Sequence, residues 1–204
     1  MPRFKDFEPK GVIPATLLAF NEDFSIDEAS TRKHTQDVAA VDGISAIAIN
    51  AHASEVHACS FDEQRRILDV TMEEIGDRLP VINGVYADGS GHAAKLARMA
   101  EDGGASCLLV LPPHSIGMFG GQLRPEMALA HFKTIADATD LPIIVFQYPG
   151  TYSYPMPTLL RMIDEVPTIR AIKDWSPPMV QEAHIRELQS LPRPVNVLST
   201  NSAW

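Results

Sequence analysis

The sequence predicts an α/β fold made of repeated strand–helix units, which together form a (β/α)₈ TIM barrel. Short apolar runs that are continuous rather than alternating recur along the chain, as in strands that helices cover on both faces. Amphipathic stretches separate these runs, and this order is that of βα units. The seven predicted strands are Val12 to Leu18, Ile44 to Ile49, Val81 to Val85, Cys107 to Leu111, Ile143 to Phe146, Ile169 to Ile172 and Val195 to Leu198.

Helix starts between the strands follow from local residue types. Ser25-Ile-Asp-Glu28 and Ser60-Phe-Asp-Glu63 have the spacing of capping boxes, in which the serine and the glutamate each bind a backbone N–H group. Pro125 and Pro157 suit the first turns of later helices, where a missing N–H group leaves no hydrogen bond unmade. These signals place helices between successive strands, as a barrel requires.

The first predicted strand bears on the choice between a barrel and an open sheet. No glycine-rich dinucleotide fingerprint follows it, which favours the barrel; an open, doubly wound Rossmann-type sheet is the alternative. A TIM barrel usually needs about 250 residues, whereas this chain has 204. We therefore expect a single domain over residues 1–204 that lacks the eighth strand and the helices after it, as part of a longer barrel.

Charge and hydropathy exclude several classes of function. The chain carries 26 acidic and 17 basic residues, a net charge of −9, without a basic run, so nucleic acid is not an expected partner. No apolar stretch reaches the roughly 18 residues of a membrane span, and the first residues form no apolar signal region. These features predict a cytoplasmic protein. Cys59 and Cys107 lie far apart, and no CxxC or HExxH spacing occurs, so we expect neither a metal site nor a cofactor.

Lys173 is the residue that indicates most about the chemistry. It stands where the apolar strand Ile169 to Ile172 meets the polar sequence Asp174-Trp175-Ser176. An amine at the end of an interior strand is costly to bury as a cation, so its pKa falls and the neutral amine can attack a carbonyl carbon. Lys173 is therefore a candidate Schiff-base nucleophile. The alternative is a structural lysine whose ammonium reaches water or pairs with Asp174.

Other polar residues also follow the predicted strands. In a TIM barrel the working residues lie at the carboxyl ends of the strands, so these side chains should meet at one end. They include phenol, imidazole and hydroxyl groups, which suit proton transfer and hydrogen bonding. The positions are Thr16, residues 50–55, Tyr86, His114, Tyr148, Lys173 and residues 199–201.

Two motifs near the fifth and sixth predicted strands resemble those of a known family. Phe146-Gln-Tyr-Pro-Gly150, followed by Lys173 in an Ala-Ile-Lys-Asp sequence, is similar to the dihydrodipicolinate synthase/N-acetylneuraminate lyase family. Segments 11–16 and 78–84 are similar to family segments in the same order, so the resemblance extends from Gly11 to Leu198. It implies a (β/α)₈ lyase that acts on 2-oxo acids through a lysine imine, with that lysine at Lys173. It also implies a homo-oligomer, a tetramer or a dimer.

The resemblance is incomplete at positions that matter for catalysis. The family's Thr-Thr-Gly-Glu stretch, which holds the carboxylate of the oxo acid, falls on His52-Ala53-Ser54-Glu55, so only Glu55 matches. The family's proton-transferring tyrosine falls on Phe146, which has no hydroxyl group. The arginine of the synthases falls on Thr151, and the Tyr-Tyr after strand four falls on Pro113-His114. A typical dihydrodipicolinate synthase or sialic acid lyase is therefore not implied.

We expect other side chains to replace the missing groups. Tyr148 is two residues from Phe146 and points to the same face in a strand, while His114 can titrate near neutral pH. Both are candidate catalytic residues beside Lys173. His52 and Ser54 can bind a carboxylate through hydrogen bonds. The further substrate-binding positions are Ala53, Glu55, Thr16 and Phe146.

Two functions follow from these residues. The first is a lyase of the aldolase or dehydratase type that acts on a 2-oxo acid, such as pyruvate or a deoxy-oxo sugar acid, through Lys173. The second is a non-catalytic binding or regulatory barrel that keeps the lysine by descent, which the changes at Phe146 and His52-Ala53 favour.

Overall fold

The computed structural model describes residues 4–118, 120 and 123–200. In this part of the chain, six β-strands alternate with seven α-helices, and three single 3₁₀ turns lie at 52–54, 56–58 and 150–152. None of these helices is long and apolar enough to cross a membrane. The elements in chain order are α1 Glu28–Ala39, β1 Ile47–Ile49, α2 Phe61–Ile75, β2 Val81–Val85, α3 Ser90–Asp102, β3 Cys107–Val110, α4 His114–Met118, α5 Pro125–Ala136, β4 Ile143–Gln147, α6 Met156–Glu165, β5 Ile169–Asp174, α7 Pro178–Gln189 and β6 Asn196–Ser199.

The six strands form one parallel sheet in the order of the chain, β1-β2-β3-β4-β5-β6. This is the arrangement of a half-barrel, because each strand pairs with the next and helices lie between successive strands. The α/β prediction is confirmed. The sheet is open, and the side chain of Asn196 at the start of β6 donates to the carbonyl of Pro9 at 3.1 Å, which ties the last strand to the N-terminal segment.

The predicted first strand, Val12 to Leu18, is wrong as a strand, so the count is six rather than seven. This segment makes only two isolated parallel bridges, from Val12 to Ile44 and from Ala15 to Ala48. Pro14 has no backbone N–H group to donate and cannot continue the ladder. The segment nevertheless lies beside β1 as a first strand would, because the N–H of Thr16 donates to the carbonyl of Ala48 at 3.0 Å.

The helix starts match the predictions at three of four places. Ser60 and Glu63 form the complete capping box at α2, and a proline lies in the first turn of both α5 and α6. The predicted box at Ser25 is wrong. The N-cap of α1 is Asp27, whose carboxylate accepts the N–H of Ser30 at 3.0 Å, because a carboxylate is an equally good cap two residues closer to the helix.

Two apolar clusters fill the molecule on the two faces of the sheet. The larger cluster lies where the outer face meets the helices and includes Phe132, Leu96 and Ile172. The smaller lines the inner, concave face and includes Cys107 and Phe146. Since neighbouring strand residues point to opposite faces, the inner face is where a functional side chain from β4 or β5 must appear.

Candidate active site

Lys173 lies on the inner face of the sheet near the end of β5. The strand continues to Asp174 rather than stopping at Ile172, so Lys173 pairs with Phe146 of β4 and Leu198 of β6. Its Nζ lies over the ring of Phe146, 4.5 Å from the ring centroid. Burial lowers the pKa of the Lys173 amine, because a cation is disfavoured away from water. This is the environment that the sequence predicted.

A cavity of about 340 Å³ lies beside Lys173 inside the half-barrel. Small and aliphatic side chains form most of its wall, and Lys173 is the one cationic group among the described residues that line it. A cavity of this size suits a small organic molecule. The lining includes Ala15, Ala48, Leu109, Ile144, Leu198 and Thr200.

Asp174 points away from this cavity, so it is not the partner of Lys173. Its carboxylate accepts hydrogen bonds from Nδ1 of His184 in α7, at 2.6 Å, and from the N–H of Ser176, at 2.9 Å. Burial raises the pKa of Asp174, but the hydrogen bonds from His184 and Ser176 outweigh it and the net pKa is lowered. The alternative in which Asp174 neutralises Lys173 is therefore wrong, since adjacent strand residues face opposite ways.

Tyr148 and Phe146 share one face, as the alternation of the strand predicted. Their rings stack with centroids 4.3 Å apart. The hydroxyl of Tyr148 forms a hydrogen bond with Nε2 of His52, which stands on the turn after β1. Lys173, Phe146, Tyr148 and His52 thus form one continuous set of contacts.

His114 belongs to a second tyrosine–histidine pair at the rim of the site. Its Nδ1 lies 3.1 Å from the hydroxyl of Tyr86, at the end of β2. The ring of His114 is exposed and contacts Tyr152 edge-on, with centroids 5.3 Å apart. Its ring centroid lies 6.4 Å from that of Tyr148. The structure therefore brings His114 to the same end of the sheet as Tyr148, one layer closer to solvent.

The remaining predicted binding residues divide between the interior and the surface. Ser54 is buried, and its hydroxyl donates to the carbonyl of Thr16 at 2.9 Å, so this donor is already used. Ala53 lies with His52 on the 3₁₀ turn His52–Ser54. Glu55 is exposed in a left-handed conformation with φ of 51°, outside the contacts that join His52 to Tyr148. Asn201 and the side chain of Thr151 lie outside the described part of the protein.

The sequence reasoning missed three contributors to this region. Trp175 follows β5, and its ring centroid lies 6.3 Å from that of Tyr148. Tyr152 contacts His114 from the turn after β4, and His184 anchors Asp174. An aromatic residue directly after a strand end was the available signal for Trp175, whereas the sequence carries no such signal for His184. Among the described residues, no group of three metal-binding side chains could hold an ion.

The model of the dihydrodipicolinate synthetase family matches residues 8–198. The chain belongs to this family. A 4-hydroxy-tetrahydrodipicolinate synthase from Salinibacter ruber is 33% identical over 82% of this chain, and one from Sphingopyxis alaskensis is 32% identical over 81%. The chain spans about half the length of these curated relatives, 54% and 55%.

Solved structures of family members share the fold. The dihydrodipicolinate synthase from Aquifex aeolicus superposes on 95% of this chain with a TM-score of 0.79 and 23% identity, and the chain covers 63% of its length. CdNal from Clostridium difficile, solved in complex with mannosamine, has a TM-score of 0.80 and 19% identity, with 64% of its length covered. At these identities the likeness extends to the fold alone.

Proposed function

We propose that this protein is a lyase that forms a Schiff base between Lys173 and a 2-oxo acid, such as pyruvate or a deoxy-oxo sugar acid. The observation that carries the proposal is the position of Lys173. Its amine stands over Phe146 beside a cavity of about 340 Å³, and burial lowers its pKa. Membership of the dihydrodipicolinate synthetase family, with relatives named 4-hydroxy-tetrahydrodipicolinate synthase, supports the same chemistry.

The proposed reaction begins with the neutral amine. Its nitrogen attacks the carbonyl carbon of the oxo acid, and the carbonyl oxygen leaves as water after two proton transfers. The product is a protonated imine, which withdraws electrons when a bond at the adjacent carbon breaks and becomes an enamine. A lysine that is partly desolvated reaches the neutral form more readily than one in water, so its environment favours the first step.

Tyr148 is the proposed acid–base group in place of the phenol missing at Phe146. It stacks directly on Phe146, whose ring contacts the amine of Lys173. His114 is exposed and one ring farther out, so we assign it to the second substrate or the leaving group. Proton transfer by a positioned side chain contributes about 10²- to 10⁴-fold in rate, so an active enzyme needs such a group.

The carboxylate of the oxo acid is proposed to bind at the turn His52–Ser54, which adjoins Phe146 and Tyr148. Because the hydroxyl of Ser54 already donates to Thr16, Ser54 supports the turn, and the first N–H groups of the turn are the proposed donors. The homo-oligomer and the cytoplasmic location stay predictions.

Reductive trapping tests the proposal. The full-length protein is incubated with pyruvate and borohydride, and intact mass and peptide mass spectrometry locate the adduct. We expect one reduced pyruvyl group on Lys173, none in Lys173→Ala, and an unchanged adduct in Lys33→Ala, where an exposed lysine paired with Asp37 is removed. A folded wild-type protein without an adduct would exclude the lyase. An adduct without turnover of any oxo acid would instead favour the non-catalytic barrel.

A further inference from the structure

The hydrogen bond between Tyr148 and His52 joins two distant parts of the chain on the inner face of the sheet. Tyr148 follows β4 and is buried, whereas His52 stands on the turn after β1. Their ring centroids lie 5.1 Å apart, and the phenol hydroxyl meets Nε2 of the imidazole. Because both rings also contact Phe146, the pair is held beside the residue over which Lys173 lies.

The two groups differ in the charge states they favour. Burial raises the pKa of the Tyr148 phenol, so it is protonated near neutral pH and is a poor base by itself. Burial first, and then the charges of His57, His114 and Lys173, lower the pKa of His52 and favour its neutral form. A neutral imidazole has one ring nitrogen free to accept a proton. With Tyr148 donating, Nε2 of His52 is that acceptor.

We propose that His52 is the proton acceptor through which Tyr148 acts, so that the Tyr148–His52 pair replaces the phenol missing at Phe146. This inference rests on the proposed imine at Lys173. It gives His52 a part in proton transfer in addition to its place in the carboxylate-binding turn. Tyr148 is then the group that touches substrate, and His52 acts on the reaction through it.

The proposed step balances in protons and electrons. A C–H bond at C3 of the bound imine breaks, and its proton passes to the oxygen of Tyr148 while the phenol's own proton passes to Nε2 of His52. The C–H electrons form the C2–C3 double bond, and the electrons of the C–N double bond move to nitrogen. The imine cation becomes a neutral enamine, and His52 becomes the cation. The reverse step returns a proton from Tyr148 to C3 and one from His52 to Tyr148, so a solvent proton enters C3 once the protons on these two groups have exchanged with solvent.

Exchange of the methyl protons of pyruvate isolates this step, because it needs no second substrate. Nuclear magnetic resonance follows the replacement of these protons by deuterium in heavy water that contains the full-length protein. We expect Tyr148→Phe and His52→Gln each to slow exchange by about a hundredfold while they still form the reduced adduct at Lys173. The double variant should lose no more than either single variant, because the residues act as a unit.

His34→Gln is the matched control, since it makes the same substitution at an imidazole outside the site, whose Nε2 accepts a hydrogen bond from the N–H of Leu17 at 3.1 Å. Its exchange should stay close to the wild-type rate, because the described contacts around Lys173 do not include this imidazole. Added imidazole should partly restore exchange to His52→Ala, a recovery that a purely structural role of His52 would not produce.

The outcomes separate the two proposals. Wild-type protein without an adduct would overturn the imine and this inference with it. An adduct in His52→Gln together with exchange at the wild-type rate would overturn only the role of His52. Wild-type protein that forms the adduct without exchanging the methyl protons would also overturn it. Where His52→Gln fails to fold, the smaller change His52→Asn with added imidazole decides between these results.

Discussion

Replacing His184 by alanine is expected to destabilise the protein by about 3 to 5 kcal/mol at pH 7. The Asp174 carboxylate is fully buried and accepts Nδ1 of His184 at 2.6 Å, so the variant leaves a buried charge without its imidazole partner. The N–H of Ser176 remains as a donor at 2.9 Å, which holds the loss to this range. A domain has only about 5 to 15 kcal/mol of stability, so this is a large fraction.

The pH dependence of Asp174 has a definite sign. Burial raises its pKa, but the hydrogen bonds from His184 and Ser176 prevail and the folded-state pKa lies below the usual value. Such a carboxylate contributes stability in full above its unfolded pKa of about 3.9 and loses the contribution as the pH falls through the folded pKa. The stability difference between wild type and Asp174→Asn should therefore shrink in acid below about pH 4.

Urea unfolding of a double-mutant cycle measures the effect. Wild type, His184→Ala, Asp174→Asn and the double variant should give a coupling energy of about 1.5 kcal/mol or more, because the two groups are in direct contact. Arg186→Ala is the control on the same helix; its pair with Glu182 is exposed and should be worth at most about 0.5 kcal/mol. A coupling energy below about 0.5 kcal/mol for the buried pair would refute the reasoning.

Three further predictions follow from single side chains. Ser60→Ala removes the acceptor of the Glu63 N–H at the start of α2 and should lower the free energy of unfolding in urea by about 1 kcal/mol. Ser153→Ala is the control and should leave this free energy unchanged; equal values for the two variants would contradict the prediction. Gly84→Ala places a Cβ atom 1.7 Å from the carbonyl oxygen of Asn50. We therefore expect loss of the fold or displacement of the adjoining turn, and a melting temperature at the wild-type level would contradict this. Lys173→Met should be more stable than wild type at pH 7. The pKa of Lys173 is lowered by burial, so the stability of wild type relative to the variant should increase as the pH rises through the folded pKa toward about 10.4. A difference in the free energy of unfolding that stays constant with pH would contradict this.

The strands were predictable where burial alone decides the pattern. Continuous apolar runs located β2 to β6 within one or two residues. In β2, β3 and β4 every residue is buried, as in strands that are covered on both faces. The same criterion failed at 12–18, which is apolar and lies in the right place but carries Pro14 and forms only isolated bridges. An apolar run indicates burial, whereas a strand ladder also needs backbone N–H donors, and Pro14 removes one of them.

Within the site, short-range geometry was predictable and long-range geometry was not. The alternation of a strand placed Phe146 and Tyr148 on one face, and their rings stack. The contact of Tyr148 with His52 spans 96 residues. It depends on the turn at 52–54, which positions His52 and which no residue type there requires.

The two main departures from the family pattern, at His52 and Phe146, can be interpreted together once their positions in the structure are known. By resemblance, His52 stands at a threonine of the carboxylate-binding stretch and Phe146 stands at the proton-transferring tyrosine, so each change alone removes a hydroxyl group. In the structure, however, the ring of Phe146 supports Tyr148, and the hydroxyl of Tyr148 meets His52. In the proposed mechanism the phenol stands two residues farther along the chain than in the family pattern, and its partner is the imidazole of His52. Since a neutral imidazole can accept a proton near neutral pH, the proposed pair would supply the proton transfer that the change at Phe146 alone would remove.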